Sequence, residues 1–144
     1  MPDCFLDTNV LLYAALGSED APEKWAAARN LVETRDYSTS AQVLAEFYTN
    51  ATNAKKWKVP LQAEDAAKWV AVISAKPCVD LDSAVVMRGI ELSLRYKTSY
   101  WDGAILSAAE KMNVRTVFTE DLNDGQTYGS VTVVNPFQSN PSFQ

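Results

Sequence analysis

Histidine is absent from this sequence of 144 residues. That absence excludes Ser-His-Asp and Cys-His hydrolases, two-histidine ribonucleases and the common zinc hydrolase sites, since each needs an imidazole as base or ligand. Acid–base chemistry is left to carboxylates, Lys, Tyr or metal-bound water. Cysteine is scarce as well. Cys4 and Cys78 lie far apart in apolar segments and read as buried thiols in a reducing compartment, not as a disulfide framework. Gly and Pro are sparse, and neither a low-complexity segment nor an internal repeat is present. No apolar run approaches the length of a membrane span. The N-terminal Met1-Pro2-Asp3-Cys4 has no positive stretch leading into a long apolar one. No secretory signal is therefore expected, and the expected compartment is the cytoplasm.

Positive charge is also short. Thirteen Lys and Arg face eighteen Asp and Glu, a net charge of −5. A protein that grips nucleic acid by a general basic surface is excluded. A nuclease is not, because clustered carboxylates bind cations that in turn bind phosphate. Nearly half of the residues are apolar (47%), so the chain can bury a core and is expected to form one domain over residues 1–144.

The pattern along the chain alternates between strand and helix. Cys4-Phe5-Leu6 reads as a buried strand stopping at the polar turn Asp7-Thr8-Asn9. Helical turns are predicted over 10–16, and an amphipathic helix over 18–35 with Trp25, Ala28 and Leu31 inward. A short strand over 36–39 precedes Ser40, a natural cap for a helix over 41–53. Residues 54–61 form a basic connector with Lys55, Lys56 and Lys58. Helices are predicted over 62–75, from a cap at Asp82 or Ser83 to 96, and over 99–111. Short strands are expected at 78–79, 116–119 and 131–134, with a turn-rich stretch over 120–129. This alternation predicts an α/β domain with a central, mostly parallel sheet, whose sites form at the carboxyl ends of its strands.

The acids fall at those ends. Asp7 and Asp121 each follow an apolar strand; Glu46 lies beside Val43, Leu44 and Phe47; Asp102 sits three residues after Ser99. Each has a plain structural alternative. Asp7 and Asp121 could be turn caps, Glu46 a boundary residue, and Asp102 half of a capping box. Brought together without cations, they would raise one another's pKa. A bound Mg²⁺ or Mn²⁺, hard ions that prefer oxygen, removes that conflict and suits phosphodiester hydrolysis by an activated water.

The motifs resemble those of a known family. Phe5-Leu6-Asp7-Thr8-Asn9-Val10-Leu11-Leu12-Tyr13 is similar to the opening strand and turn of PIN domains. Ser40 to Tyr48 resembles their second motif, Ser99 to Leu106 the third, Thr119 to Gln126 the fourth, and Val133 to Phe137 the closing strand. The resemblance runs in family order over nearly the whole chain. It implies a three-layer α/β/α sandwich and Mg²⁺- or Mn²⁺-dependent endoribonuclease activity. It makes Asp7, Glu46, Asp102 and Asp121 the catalytic acids, with Asp7, Asp102 and Asp121 on the metal. Thr8, Asn9, Ser40 and Thr119 fall where polar residues orient those acids or the water, Asp124 is a further outer acid, and Glu120 is expected to point elsewhere.

The small single domain resembles VapC toxins of type II toxin–antitoxin pairs. That implies an RNA substrate, a cognate antitoxin and a homodimer. Trp25, Trp57 and Trp69 are candidates for such contacts, although the spacing of Trp25 and Trp69 suits core packing. Two basic clusters, Lys55/Lys56/Lys58 and Arg88/Arg95/Lys97, are either solvated faces or RNA contacts. Other readings are a PIN nuclease of RNA maturation without an antitoxin, and a non-catalytic PIN binding module. A haloacid-dehalogenase-like phosphatase would need an acid where Asn9 stands.

Overall fold

The computed structural model describes residues 1–138. The expected end of the domain, 139–144, lies outside them. Six strands and six helices alternate: β1 (Cys4–Leu6), α1 (Thr8–Asp20), α2 (Pro22–Thr34), β2 (Tyr37–Ser40), α3 (Ala41–Ala51), α4 (Ala63–Ser74), β3 (Cys78–Val79), α5 (Ser83–Tyr96), α6 (Tyr100–Lys111), β4 (Thr116–Phe118), β5 (Thr127–Tyr128) and β6 (Val131–Val134). Among the described residues, no helix is long and apolar enough to cross a membrane.

The sheet order is β3-β2-β1-β4-β6-β5. All pairings are parallel except β5 with β6. From β1 the chain winds outward to β2 and β3, then returns to β4 on the other side of β1. Parallel crossovers are right-handed. The helices of the outward run, α1 to α4, therefore cover one face, and α5 and α6 the other. Helix contacts follow this division, with α1 on α2 and α3, α3 on α4, and α5 on α6. This is the expected three-layer sandwich. The winding reverses between β1 and β4, and in open α/β sheets the crevice at such a reversal is where ligands bind.

The central strands are buried on both faces, as a parallel sheet under two helical layers requires. Cys4, Phe5 and Leu6 are fully buried, with Val117 and Val133 beside them. Polar Ser38 is also fully buried in β2, and its hydroxyl donates to the Cys4 carbonyl at 2.8 Å.

The structure shifts some predicted boundaries. One helix runs unbroken through Gly17, and the break falls at Ala21, whose φ of −152° lies outside the helical region. The ring of Pro22 disfavours helical backbone in the residue before it. The stretch read only as turns contains β5, joined to β6 through Gly129 and Ser130. Gly129 has φ +60°, which a tight hairpin wants at its first central position. Trp57, the tryptophan without a core pattern, is the most buried of those three at 7% exposure. The connector folds back on α3 (Leu61 N–H to the Ala51 carbonyl, 2.9 Å) and tucks the indole against Tyr13. The exposed tryptophan is Trp101, at 60%.

Candidate active site

Asp7 extends β1 by one residue, its N–H donating to the Phe118 carbonyl at 3.1 Å. It also caps α1, with Oδ1 accepting from the Thr8 N–H at 2.7 Å. Asp is a strong N-cap because its carboxylate satisfies a free amide at the positive end of the helix. Oδ2 accepts from the Thr119 hydroxyl at 2.8 Å. That hydroxyl accepts in turn from Asn9 Nδ2 (3.2 Å) and from the Asp121 N–H (3.1 Å). Thr119 thus commits its one proton and both lone pairs. Since its two donors are N–H groups that cannot reverse, its proton must go to Asp7. Asn9 Nδ2 also reaches Asp121 Oδ2 at 3.1 Å, joining the ends of β1 and β4.

Glu46 comes from α3, and Ser40 sets that helix's start by accepting from the Val43 N–H at 3.4 Å. Gln42, one turn earlier, donates to Glu46 Oε1 at 2.7 Å and to the Trp101 carbonyl at 3.3 Å. This bridge ties α3 to the start of α6, where Ser99 accepts from the Asp102 N–H at 3.1 Å.

Asp7, Thr8, Asn9, Glu46, Glu120 and Asp121 line one cavity of about 350 Å³, together with Tyr13, Asp20, Asn50, Lys56 and Trp57. Asp102 is not in that lining, but it feels the charge of Asp121. Ser40 serves as a helix cap, and Asp124 holds the Asn135 N–H at 2.8 Å, pinning the chain after β6. Glu120, expected to point elsewhere, lines the same cavity. Its carboxylate is held by Lys24 at 2.8 Å and by the Tyr13 hydroxyl at 3.1 Å. Sequence reasoning missed Gln42, Lys24 and Tyr13. Gln42 had a signal, four residues before Glu46 on one helix face. Lys24 and Tyr13 had none, since their partner Glu120 lies about a hundred residues away.

Electrostatics single out Asp7. Burial pushes its pKa up to about 7, with Thr119 and Thr8 opposing and the charges of Asp121 and Glu46 adding. Asp102 is also raised, by burial first and by Asp121, with Ser99 opposing. Among the described residues, no three acids already converge as a ready-made metal cage. The donor set nonetheless fits a hard cation. Asp7 is a buried carboxylate without a cationic partner, and the side-chain oxygens of Thr8 and Asn9 are buried with no hydrogen-bond partner. Oxygen atoms of this kind suit Mg²⁺ or Mn²⁺.

The family pattern of the PIN domain matches residues 4–124. The chain belongs to the PIN domain family. As a PIN domain it carries its acids on the family's α/β scaffold, and solved structures share that scaffold. A chain of a toxin–antitoxin complex from Klebsiella pneumoniae superposes with TM-score 0.65 at 18% identity, covering 92% of this chain and 97% of that one. The sarcin–ricin loop cleaving toxin VapC20 of Mycobacterium tuberculosis gives 0.63 at 19% identity, over 82% and 91%. A chain of VapBC2 from Rickettsia felis, bound to a promoter DNA fragment, gives 0.60 at 18%, over 90% and 96%. No curated protein matches the sequence.

Proposed function

We propose that this PIN domain is a metal-dependent endoribonuclease and the toxin of a type II toxin–antitoxin pair. The observation that carries the catalytic reading is Asp7. It is buried, held at both oxygens and raised to about 7, and it shares a cavity with Glu46, Asp121 and two unpartnered side-chain oxygens. The toxin reading draws on the scaffold shared with chains described as toxins or as members of toxin–antitoxin complexes.

Asp7, Asp121 and Asp102 are assigned to hold Mg²⁺ or Mn²⁺. Such an ion supplies Lewis-acid activation of a water and neutralises charge at the phosphate. The chain's own residues do the rest. Thr119 and the Thr8 N–H fix both oxygens of Asp7. Asn9 holds the Asp121 carboxylate against the same strand end. Gln42 fixes Glu46 by Oε1, and Oε2 is assigned to accept the proton of the attacking water. The assembly proposed with this activity is a homodimer held by an antitoxin in the cytoplasm.

Asp7→Asn is expected to abolish metal-dependent cleavage of RNA, a loss on the order of 1000-fold, the scale of transition-state charge stabilisation. The fold should survive, because Asn caps a helix as well as Asp does. The check is gel analysis of RNA incubated with the purified proteins and Mn²⁺, beside their circular dichroism. A folded Asp7→Asn that cuts at the wild-type rate would refute the catalytic reading.

A further inference from the structure

Of the two basic clusters, only one reaches the cavity. Arg88 is committed to Glu110 at 2.8 Å and Glu91 at 3.1 Å, and Lys24 is committed to Glu120. Lys55, Lys56 and Lys58 enter no ion pair among the described residues. All three are exposed, and they flank the buried Trp57, so the connector turns one aromatic inward and its cations outward.

The connector is also a built structure. The Lys56 N–H donates to the Asn53 carbonyl at 3.1 Å, and the Lys55 N–H to Asn53 Oδ1 at 2.9 Å. The Lys58 N–H reaches Asp20 Oδ2 at 3.1 Å, fastening the loop to the end of α1. Trp57 packs edge-on against Tyr13, with ring centroids 5.8 Å apart. Lys56 lines the cavity that holds Asp7, Glu46 and Asp121. Its ammonium donates to Asn50 Oδ1 at 3.2 Å, a neutral amide that aims the group and leaves its charge intact.

We infer that this connector is the seat of the RNA backbone, with Lys56 taking a phosphate next to the one that is cut and Lys55 and Lys58 taking phosphates farther along. The inference rests on the ribonuclease reading and names how that site takes its substrate. A chain of net charge −5 repels RNA at long range, so unpaired Lys56 in the cavity wall, with Lys55 and Lys58 next to it in the connector, decides where a strand can settle. A cavity of about 350 Å³ matches the size of one nucleotide, which favours a single or locally opened strand. Lysine suits this role as a mobile point charge that tracks a backbone without reading a base.

The test is fluorescence anisotropy of a short labelled single-stranded RNA against Asp7→Asn protein in Mg²⁺, across a salt series. Adding Lys56→Gln should weaken binding about 3- to 10-fold and reduce the salt slope by about 0.7, the share of one phosphate contact on a single strand. Adding Lys55→Gln and Lys58→Gln should lower the slope further. Lys97→Gln, in the other cluster, should change neither quantity. Lys56 is exposed, so its replacement leaves folding intact. An unchanged affinity and slope in Lys56→Gln, or no binding of RNA by the Asp7→Asn parent, overturns the inference. Failure of the wild-type protein to cut RNA in Mn²⁺ would instead strike the catalytic reading and leave this binding comparison standing.

Discussion

Thr119 shows how much of the site hangs on one hydroxyl. It orients Asp7, receives Asn9 and receives the amide of Asp121. Thr119→Val keeps the shape and removes all three bonds, leaving buried Asp7 Oδ2 without its donor and the part-buried Asp121 N–H without its acceptor, while Asn9 keeps its bond to Asp121. Each such loss costs about 1–3 kcal/mol, so urea unfolding should report a destabilisation of about 2 kcal/mol or more. Because the Thr119 bond lowers the pKa of Asp7, the variant should also move that pKa further upward, readable by carboxyl NMR titration. Single residues were unevenly legible. Asp7, Glu46 and Asp121 stood in ordered motifs. Lys24 did not, and Tyr13 closed the first motif without any sign of its role, because no local pattern encodes a contact with Glu120 across the whole domain.

The pairing of α5 with α6 depends on two glycines. A side chain on Gly103 would run into the Gly89 carbonyl and press on Ser93 of the facing helix. Gly103→Ala should therefore push the helices apart and cost about 1–3 kcal/mol, as overpacking does. Thermal unfolding measures it directly; a melting temperature equal to wild type would show that the helices yield freely. Since Asp102 adjoins Gly103, activity should fall with stability. Most elements could be read from the sequence, because caps and periodicity are local. Ser40, Asp82 and Ser99 each cap a helix as their types suggest. Two features escaped. Pro22 outweighed the helical pattern on either side of it, and β5 has only two residues, too few for any alternation to register.

For the molecule as a whole, the buried acid links pH, metal and stability. The folded pKa of Asp7, about 7, lies above its ordinary value of 3.8. The folded state therefore holds this proton more tightly than the unfolded chain. Its contribution to stability is present at low pH and is lost as pH rises toward and through 7. A divalent cation bound as proposed would offset that loss by replacing the proton. Mn²⁺ should thus raise the melting temperature more at pH 8 than at pH 6, with saturating metal worth about 3 kcal/mol at a hundredfold excess over its Kd. Equal shifts at both pH values in differential scanning fluorimetry would mean that the ion does not displace the proton of Asp7. At this scale the α/β/α layering was legible from strand–helix alternation. The place where the winding reverses was not, since strand order arises from pairings between distant segments.

That reversal also has a consequence for how the protein comes into being. β4 lies between β1 and β6 and brings Thr119 and Asp121 to the strand end that Asp7 marks. A domain folds as a unit, so contacts between its distant segments form only when both have left the ribosome. Here Asp7 and Asn9 wait for partners more than a hundred positions later. A chain unfinished short of β4 can form helices, but it lacks Asp121 and the Thr119 hydroxyl that aims Asp7. A segment that stops short of β4 therefore lacks the arrangement on which the proposed cleavage depends.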